Sequence, residues 1–172
     1  MALIHEDGTG KADAESYVSL VRAVAVAVLL NLTEVWVVSS DNEQEGLLRE
    51  ATTFLDGHYD WRGDILSPRI QALGWPRIGV EDNQGRLIAN DAVPLAIEKA
   101  TVFLAVQGLS SRLESVRSGA AVKSFKVGPI ERVYAGGNTG QRLYTEVDTL
   151  LWGLYDGSGQ GTTSGMVDLL RA

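Results

Sequence analysis

Residues 51–94 read ATTFLDGHYDWRGDILSPRIQALGWPRIGVEDNQGRLIANDAVP, and within them a helical period gives way to closely punctuated loops. Leu47, Leu48, Ala51, Phe54, Leu55 and His58 recur at i, i+1, i+4, i+7, i+8 and i+11, which is one face of a helix. Ser39, Ser40 and Asp41 offer side-chain acceptors for the free amides of its first turn, and Glu43 and Glu45 suit the positive end of its dipole. Gly57 and Gly63 then break the chain. Ser67 and Pro68 predict a short helix running to Leu73, halted by Gly74 and Pro76. Residues 78–81 and 86–89 flank Asp82-Asn83-Gln84-Gly85 and predict a small hairpin or a looped turn. Pro94 suits the first turn of a further helix to about Gln107, with Val93, Ile97, Ala100 and Leu104 aligned and Glu98 and Lys99 pointing away.

Toward the N-terminus, residues 1–17 contain Gly8 and Gly10 among small polar residues and read as an irregular arm ending near Tyr17. Ser19 can cap a helix to about Asn31. Its Val21, Val24, Val26, Val28, Leu29 and Leu30 leave almost no polar face, which predicts burial on most sides. The β-branched content also allows a strand, but its length and its alanines favour the helix. Toward the C-terminus, residues 122–127 and 130–134 alternate as strands on either side of Gly128-Pro129. Tyr144, Val147, Leu151 and Leu154 mark a last amphipathic helix, and a Gly/Ser/Thr-rich linker follows. The expected fold is mainly α: a small helical bundle with a short β-hairpin or strand pair over residues 1–155, then a linker and extended C-terminal arm over 156–172.

The chain has 172 residues, enough for one domain that buries roughly 70% of its unfolded surface. It has no cysteine, which excludes disulfides, thiolate metal sites and cysteine nucleophiles. Net charge is −7; residues 1–60 hold 3 basic and 11 acidic side chains, whereas residues 107–135 hold 5 basic and 2 acidic. A field of that sign disfavours gripping DNA, because generic phosphate affinity comes from Lys and Arg displacing counterions. The apolar run at residues 20–32 spans roughly 20 Å as a helix against a hydrocarbon core of about 30 Å, and Arg22 interrupts it. Neither a membrane span nor, with Glu6, Asp7, Asp13 and Glu15 ahead of it, a secretory signal is expected, so the protein should act inside a cell or in a particle assembled there.

Chemistry is sparse. His58 beside Asp56 and Asp60 has the makings of a base with an orienting carboxylate, but polar residues at a helix end, where histidine suits the dipole, are the better reading. Gly8-Thr9-Gly10-Lys11 lacks the upstream glycine and following hydroxyl of a phosphate loop, and Asp82-Asn83-Gln84-Gly85 lacks the alternating carboxylates of a calcium loop. No catalytic residue, cofactor or metal is expected. Trp61 and Trp75 read as rings that staple loops together, since base stacking needs cations and Arg62, Arg69 and Arg77 are matched by nearby acids. At the C-terminal tip, Met166, Val167, Leu169 and Leu170 are either a frayed tail or a partner-docking arm. Burying four such side chains gains roughly 6–12 kcal/mol. Ordering the backbone around them costs about 1–2 kcal/mol per residue, so one arm is near break-even.

Several pieces occur in a fixed order: Asp7-Gly8-Thr9-Gly10, Ser16-Tyr17-Val18-Ser19, Ala-Thr-x-Phe-Leu-Asp-x-x-Tyr-x-Trp-x-Gly from Ala51, Gln-Ala-Leu-x-Trp-Pro-Arg from Gln71, Lys-Val-Gly-Pro-Ile-Glu from Lys126, and Tyr-x-x-Val-Asp-x-Leu-Leu from Tyr144. Together they resemble the connector (adaptor) proteins of tailed bacteriophages, a family labelled DnaT-like single-stranded-DNA-binding proteins. The resemblance implies a helical virion protein forming a ring, commonly a dodecamer, beneath the portal at the capsid vertex. Such a ring bridges the portal to the next neck or tail component around the DNA channel. It also implies structural roles for Trp61, Gln71, Trp75, Pro76, Gly128 and Pro129. The competing implication is a DnaT-like ssDNA-binding accessory protein. The apolar 20–32 helix and the Gly-rich C-terminal extension depart from the family pattern.

Overall fold

The computed structural model describes residues 2–82, 84–110, 113, 124–127, 130–133 and 145–156. The fold is mainly helical, with antiparallel strand pairs, as the sequence leads one to expect. Helix α1 spans Leu20–Leu29, α2 Thr33–Trp36, α3 Asp41–His58, α4 Leu95–Ser110 and α5 Thr145–Leu150. Helix α4 lies at the centre, packed against α3, α1 and α5. Its Ile97, Ala100, Thr101, Val102, Leu104, Ala105 and Val106 are buried; α3 meets it with Leu48, Ala51, Phe54 and Leu55. Val147, Leu151 and Leu154 close the core from the α5 side.

Local rules set the helix starts. The Ser19 hydroxyl accepts from Arg22 N–H at 3.2 Å to cap α1. A capping box opens α3: Ser40 N–H donates to Glu43 Oε2 at 3.0 Å, and that bond holds the Glu43 carboxyl below its usual range. The first turn of α4 hangs on Pro94, whose carbonyl accepts from Ile97 and Glu98.

Strand β1 (Asp64–Ile65) pairs antiparallel with β2 (Arg77–Ile78), joining Asp64 to Ile78 and Ile65 to Arg77. Strand β3 (Ser124–Val127) pairs antiparallel with β4 (Ile130–Val133), with Val127 opposite Ile130, the expected hairpin. The N-terminal arm is irregular yet anchored, through a bridge between His5 and Ser16 and the burial of Ala14, Ser16, Tyr17 and Val18.

Three expectations need correction. Helix α1 is not buried on most sides: Ala23, Val26 and Ala27 face the core, whereas Val21, Val24, Val28 and Leu29 are exposed, because among the described elements it packs chiefly on α4 and α2, with a lesser contact to α3. The helix expected from Pro68 to Leu73 is a single turn. Ile70 and Gln71 donate to Ser67 O, but Ala72 N–H turns aside to Lys11 O instead of continuing the ladder, and the Gln71 side chain ties down the chain beyond, donating to Leu73 O and Pro76 O. Residues 78–82 and 84–89 form the looped turn, one of the two expected forms, with Glu81 bridged to Leu87 and Ile88 N–H donating to Val80 O, while Arg77–Ile78 pairs with β1. Glu98 does not point away; α1 lies on α4 and brings Arg22 over it.

Candidate functional site

The residues of the central motif converge on one carboxylate. Asp56, near the end of α3, accepts the Tyr17 hydroxyl and, at 3.0 Å, Trp61 Nε1–H on Oδ1, and Gly74 N–H at 3.0 Å on Oδ2. Tyr17 in turn accepts Trp75 N–H at 3.2 Å. Burial, and then the charge of Asp56, push the Tyr17 phenol well above its ordinary range, so it stays a donor. A Cβ on Gly74 would lie 2.7 Å from Asp56 Oδ1 and 2.7 Å from the Trp61 ring, so this position takes only glycine. Trp75 is 0% exposed and precedes a cis bond to Pro76; its indole N–H finds no acceptor, so burial holds it.

Around this hub the loops are tied by side chains. Gln71 Nε2–H donates to Leu73 O at 2.7 Å and Pro76 O at 3.1 Å, while its Oε1 accepts from Ser67 N–H. Arg77 donates to the carbonyls of Arg62, Gly63 and Gly74. Trp61 stands edge-on to Trp75 at 6.1 Å and stacks on Tyr59 at 5.7 Å. Tyr59 donates to Asp148 Oδ1 at 2.7 Å, and burial, seconded by that bond, raises its phenol too. Backbone bonds from Arg62 to Leu154 and from Asp156 to Asp60 attach the chain after α5 to the same cluster.

The Asp7-Gly8-Thr9-Gly10 loop shows the same self-containment. Glu6, 3% exposed, accepts the N–H groups of Gly8 and Gly10 at 2.9 Å and of Lys11 at 2.8 Å, so a carboxylate of the chain itself occupies the backbone donors that a phosphate would need. Gly8 has φ +100° and packs on Asp91 O, where a Cβ would come within 1.9 Å. Hydrogen bonds from Lys11 and Thr9 hold the Asp7 carboxyl at about 2. A cleft of about 360 Å³ beside this loop is lined by His5, Tyr17, Arg22, Val93 and Glu98, and its strongest charges already pair.

His58 is not oriented by Asp56. His58 stacks on Phe54 at 3.8 Å and sets Nδ1 against Phe54 O at 2.9 Å, while Asp56 is committed to the hub. Among the described residues no cluster of three potential metal ligands occurs, and no helix is long and apolar enough to cross a membrane. Among the described residues most cations are paired: Lys11 with Asp7, Arg22 with Glu98, Arg49 with Glu15 and Glu45, Arg62 with Asp156 and Arg86 with Asp82. What the described surface offers instead is apolar: the outer side of α1 and α2, and Trp152, 68% exposed after α5.

Of the residues singled out in the sequence, Trp61, Gln71, Trp75 and Pro76 are brought together in the hub. Gly128, Pro129 and the tail residues Met166, Val167, Leu169 and Leu170 lie outside the described residues. Sequence reasoning missed Tyr17 and Asp56 as the centre, although both stand inside the quoted motifs. Their separation along the chain hid the contact.

The chain matches the family model described as "Putative DnaT-like ssDNA binding protein" over residues 1–172. No curated protein and no solved structure matches it. The match bears out the DnaT-like part of the resemblance and carries no evidence for a head–tail connector. This chain belongs to the DnaT-like ssDNA binding protein family.

Proposed function

We propose that the protein is a non-catalytic assembly component, a head–tail connector (adaptor) of a tailed bacteriophage virion, made in the host cytoplasm. In this reading it forms a homo-oligomeric ring, commonly a dodecamer, between the portal protein and the downstream neck or tail protein, and the genome passes through it without sequence-specific contact. The observation that carries it is the self-containment of the hub: the Asp56 carboxylate is taken up by Tyr17, Trp61 and Gly74 of the same chain, and a surface rich in exposed valine is left for protein contact. Residues 157–172 supply the portal contact through Met166, Val167, Leu169 and Leu170, made firm by the many copies in a ring. Imaging the virion neck tests this. The expected result is a ring of this chain below the portal, lost on deleting residues 157–172 while the truncated protein keeps its melting temperature; a neck without the chain overturns the reading.

A second reading, an ssDNA-binding accessory protein, is favoured by the family description, which speaks for DNA binding and not for a connector. The basic excess at residues 107–135, which includes Lys126 and Arg132 on the β3–β4 pair, and the exposed ring of Trp152 are where it would find phosphate and base contacts. A mobility shift with single-stranded DNA that weakens steeply with salt, and that Trp152→Ala reduces, would favour it over the connector.

A further inference from the structure

We infer that the outer face of α1 and α2 is the surface on which a second copy of this chain docks. Val21, Val24, Val28 and Leu29 stand at i, i+3, i+7 and i+8 on α1, a single stripe opposite the buried Ala23, Val26 and Ala27. Val35, Val37 and Val38 extend the apolar surface through and just beyond α2, which packs on α1. Exposure is high where it counts: Val21 is 84% exposed, Val38 83% and Val28 60%.

The size is unusual for a surface that stays wet. These side chains present roughly 600–700 Å², at or beyond the largest apolar patch of a typical monomer, about 300–600 Å². Set against an equal area on another copy, they would bury about 1,200–1,400 Å², inside the range of stable protein interfaces, about 1,200–2,000 Å².

Charge decides the occupant. The chain carries −7, so two copies repel wherever their carboxylates meet. Between residues 20 and 38 the only charged side chains are Arg22, which is paired with Glu98, and Glu34. This face therefore brings a single exposed carboxylate, Glu34, into a contact between two acidic molecules. Among its described residues the one cation, Arg22, is taken up by Glu98, so this face holds out no free charge of the kind that a nucleic acid or anionic lipid headgroups require. The proposal rests on the ring reading above for its setting, naming one surface of the subunit contact, but not for its test.

The test is the association state of the full chain, measured by sedimentation from about 1 to about 100 µM, the span in which interfaces of this size separate strong from weak. Wild type should associate. Val21→Glu/Val28→Glu should weaken association about 100-fold or more, because each contact would then bury an unpaired charge. Leu87→Glu, also on an exposed side chain but in the loop after β2, should associate as wild type does. Since the chain lacks cysteine, Val28→Cys places the one thiol of the molecule on this face for attaching an environment-sensitive dye. Its emission should shift blue in step with association.

A wild type that is monomeric at about 100 µM, or a double variant that associates unchanged, overturns the proposal. In the latter case the ring survives with another interface, and the neck image decides the functional reading in either case. A double variant that fails to fold shows the valines to be covered by their own chain, which also overturns it. So does a monomer in which deleting residues 157–172 removes hydrogen-exchange protection from α1, since the tail would then be the occupant.

Discussion

Helices α4 (LAIEKATVFLAVQGLS) and α1 (LVRAVAVAVL) are the two most apolar helices of the molecule, and they have opposite fates. Helix α4 is enclosed by α3, α1 and α5, and nearly every residue of its middle turns is buried. Helix α1 packs on α4, buries Ala23, Val26 and Ala27, and leaves a row of valines in water. Apolar composition therefore states which helix can be buried; neighbours decide which one is. The lesson has a functional edge, because a helix built as if for a core but left at the surface keeps its apolar area for a partner.

The comparison breaks most readily at the core. Leu104→Ala in α4 should cost about 2–5 kcal/mol, since a fully buried leucine leaves a cavity when truncated. Urea unfolding of the dilute protein measures it, and a cost below about 1 kcal/mol would mean that α4 is not the centre of the fold.

Alkaline pH separates the scaffold from the face next. Tyr17 and Tyr59 have raised folded-state pKa values, through burial first and their carboxylate partners Asp56 and Asp148 second. Their contribution is complete below the unfolded phenol value of about 10, and it is lost as pH rises toward the folded values, because the unfolded chain releases the proton first. Stability should fall above about pH 10, and Tyr17→Phe should flatten that fall while lowering stability at neutral pH. An unchanged alkaline limb in Tyr17→Phe would remove Tyr17 from the account.

A smaller effect probes the link between the two helices. Arg22→Ala removes a bidentate pair to Glu98, with Nε and Nη2 at 3.0 and 2.7 Å from Oε2. The arginine is half exposed, so the expected cost is about 0.2–1 kcal/mol, and less in high salt. Smallest of all, Val28→Ala should change monomer stability by less than about 0.5 kcal/mol, as the side chain touches little of its own chain. A loss near that of Leu104→Ala would place Val28 in the core and abolish the contrast.

Much was legible in the sequence alone. The faces of α3 and α4, the caps at Ser19, Ser40 and Pro94, the strands around residues 124–133 and the last helix follow from local periodicity and from which side chains can satisfy free amides. Trp61 and Trp75 as staples follow from ring size and from neighbouring acids that deny them cations. The remainder needed contacts between distant segments. The turn at residues 67–73 is not a helix because Lys11 O draws the Ala72 amide out of the ladder, and β1 pairs with β2 across a loop that no alternation announces. Asp56 becomes a hub only when Tyr17 and Gly74 arrive from far along the chain. Local sequence sets periodicity and capping because those forces act within a few residues; burial of α1, the carboxylate centre and the exposed valine face are properties of what packs on what, which only the tertiary structure decides.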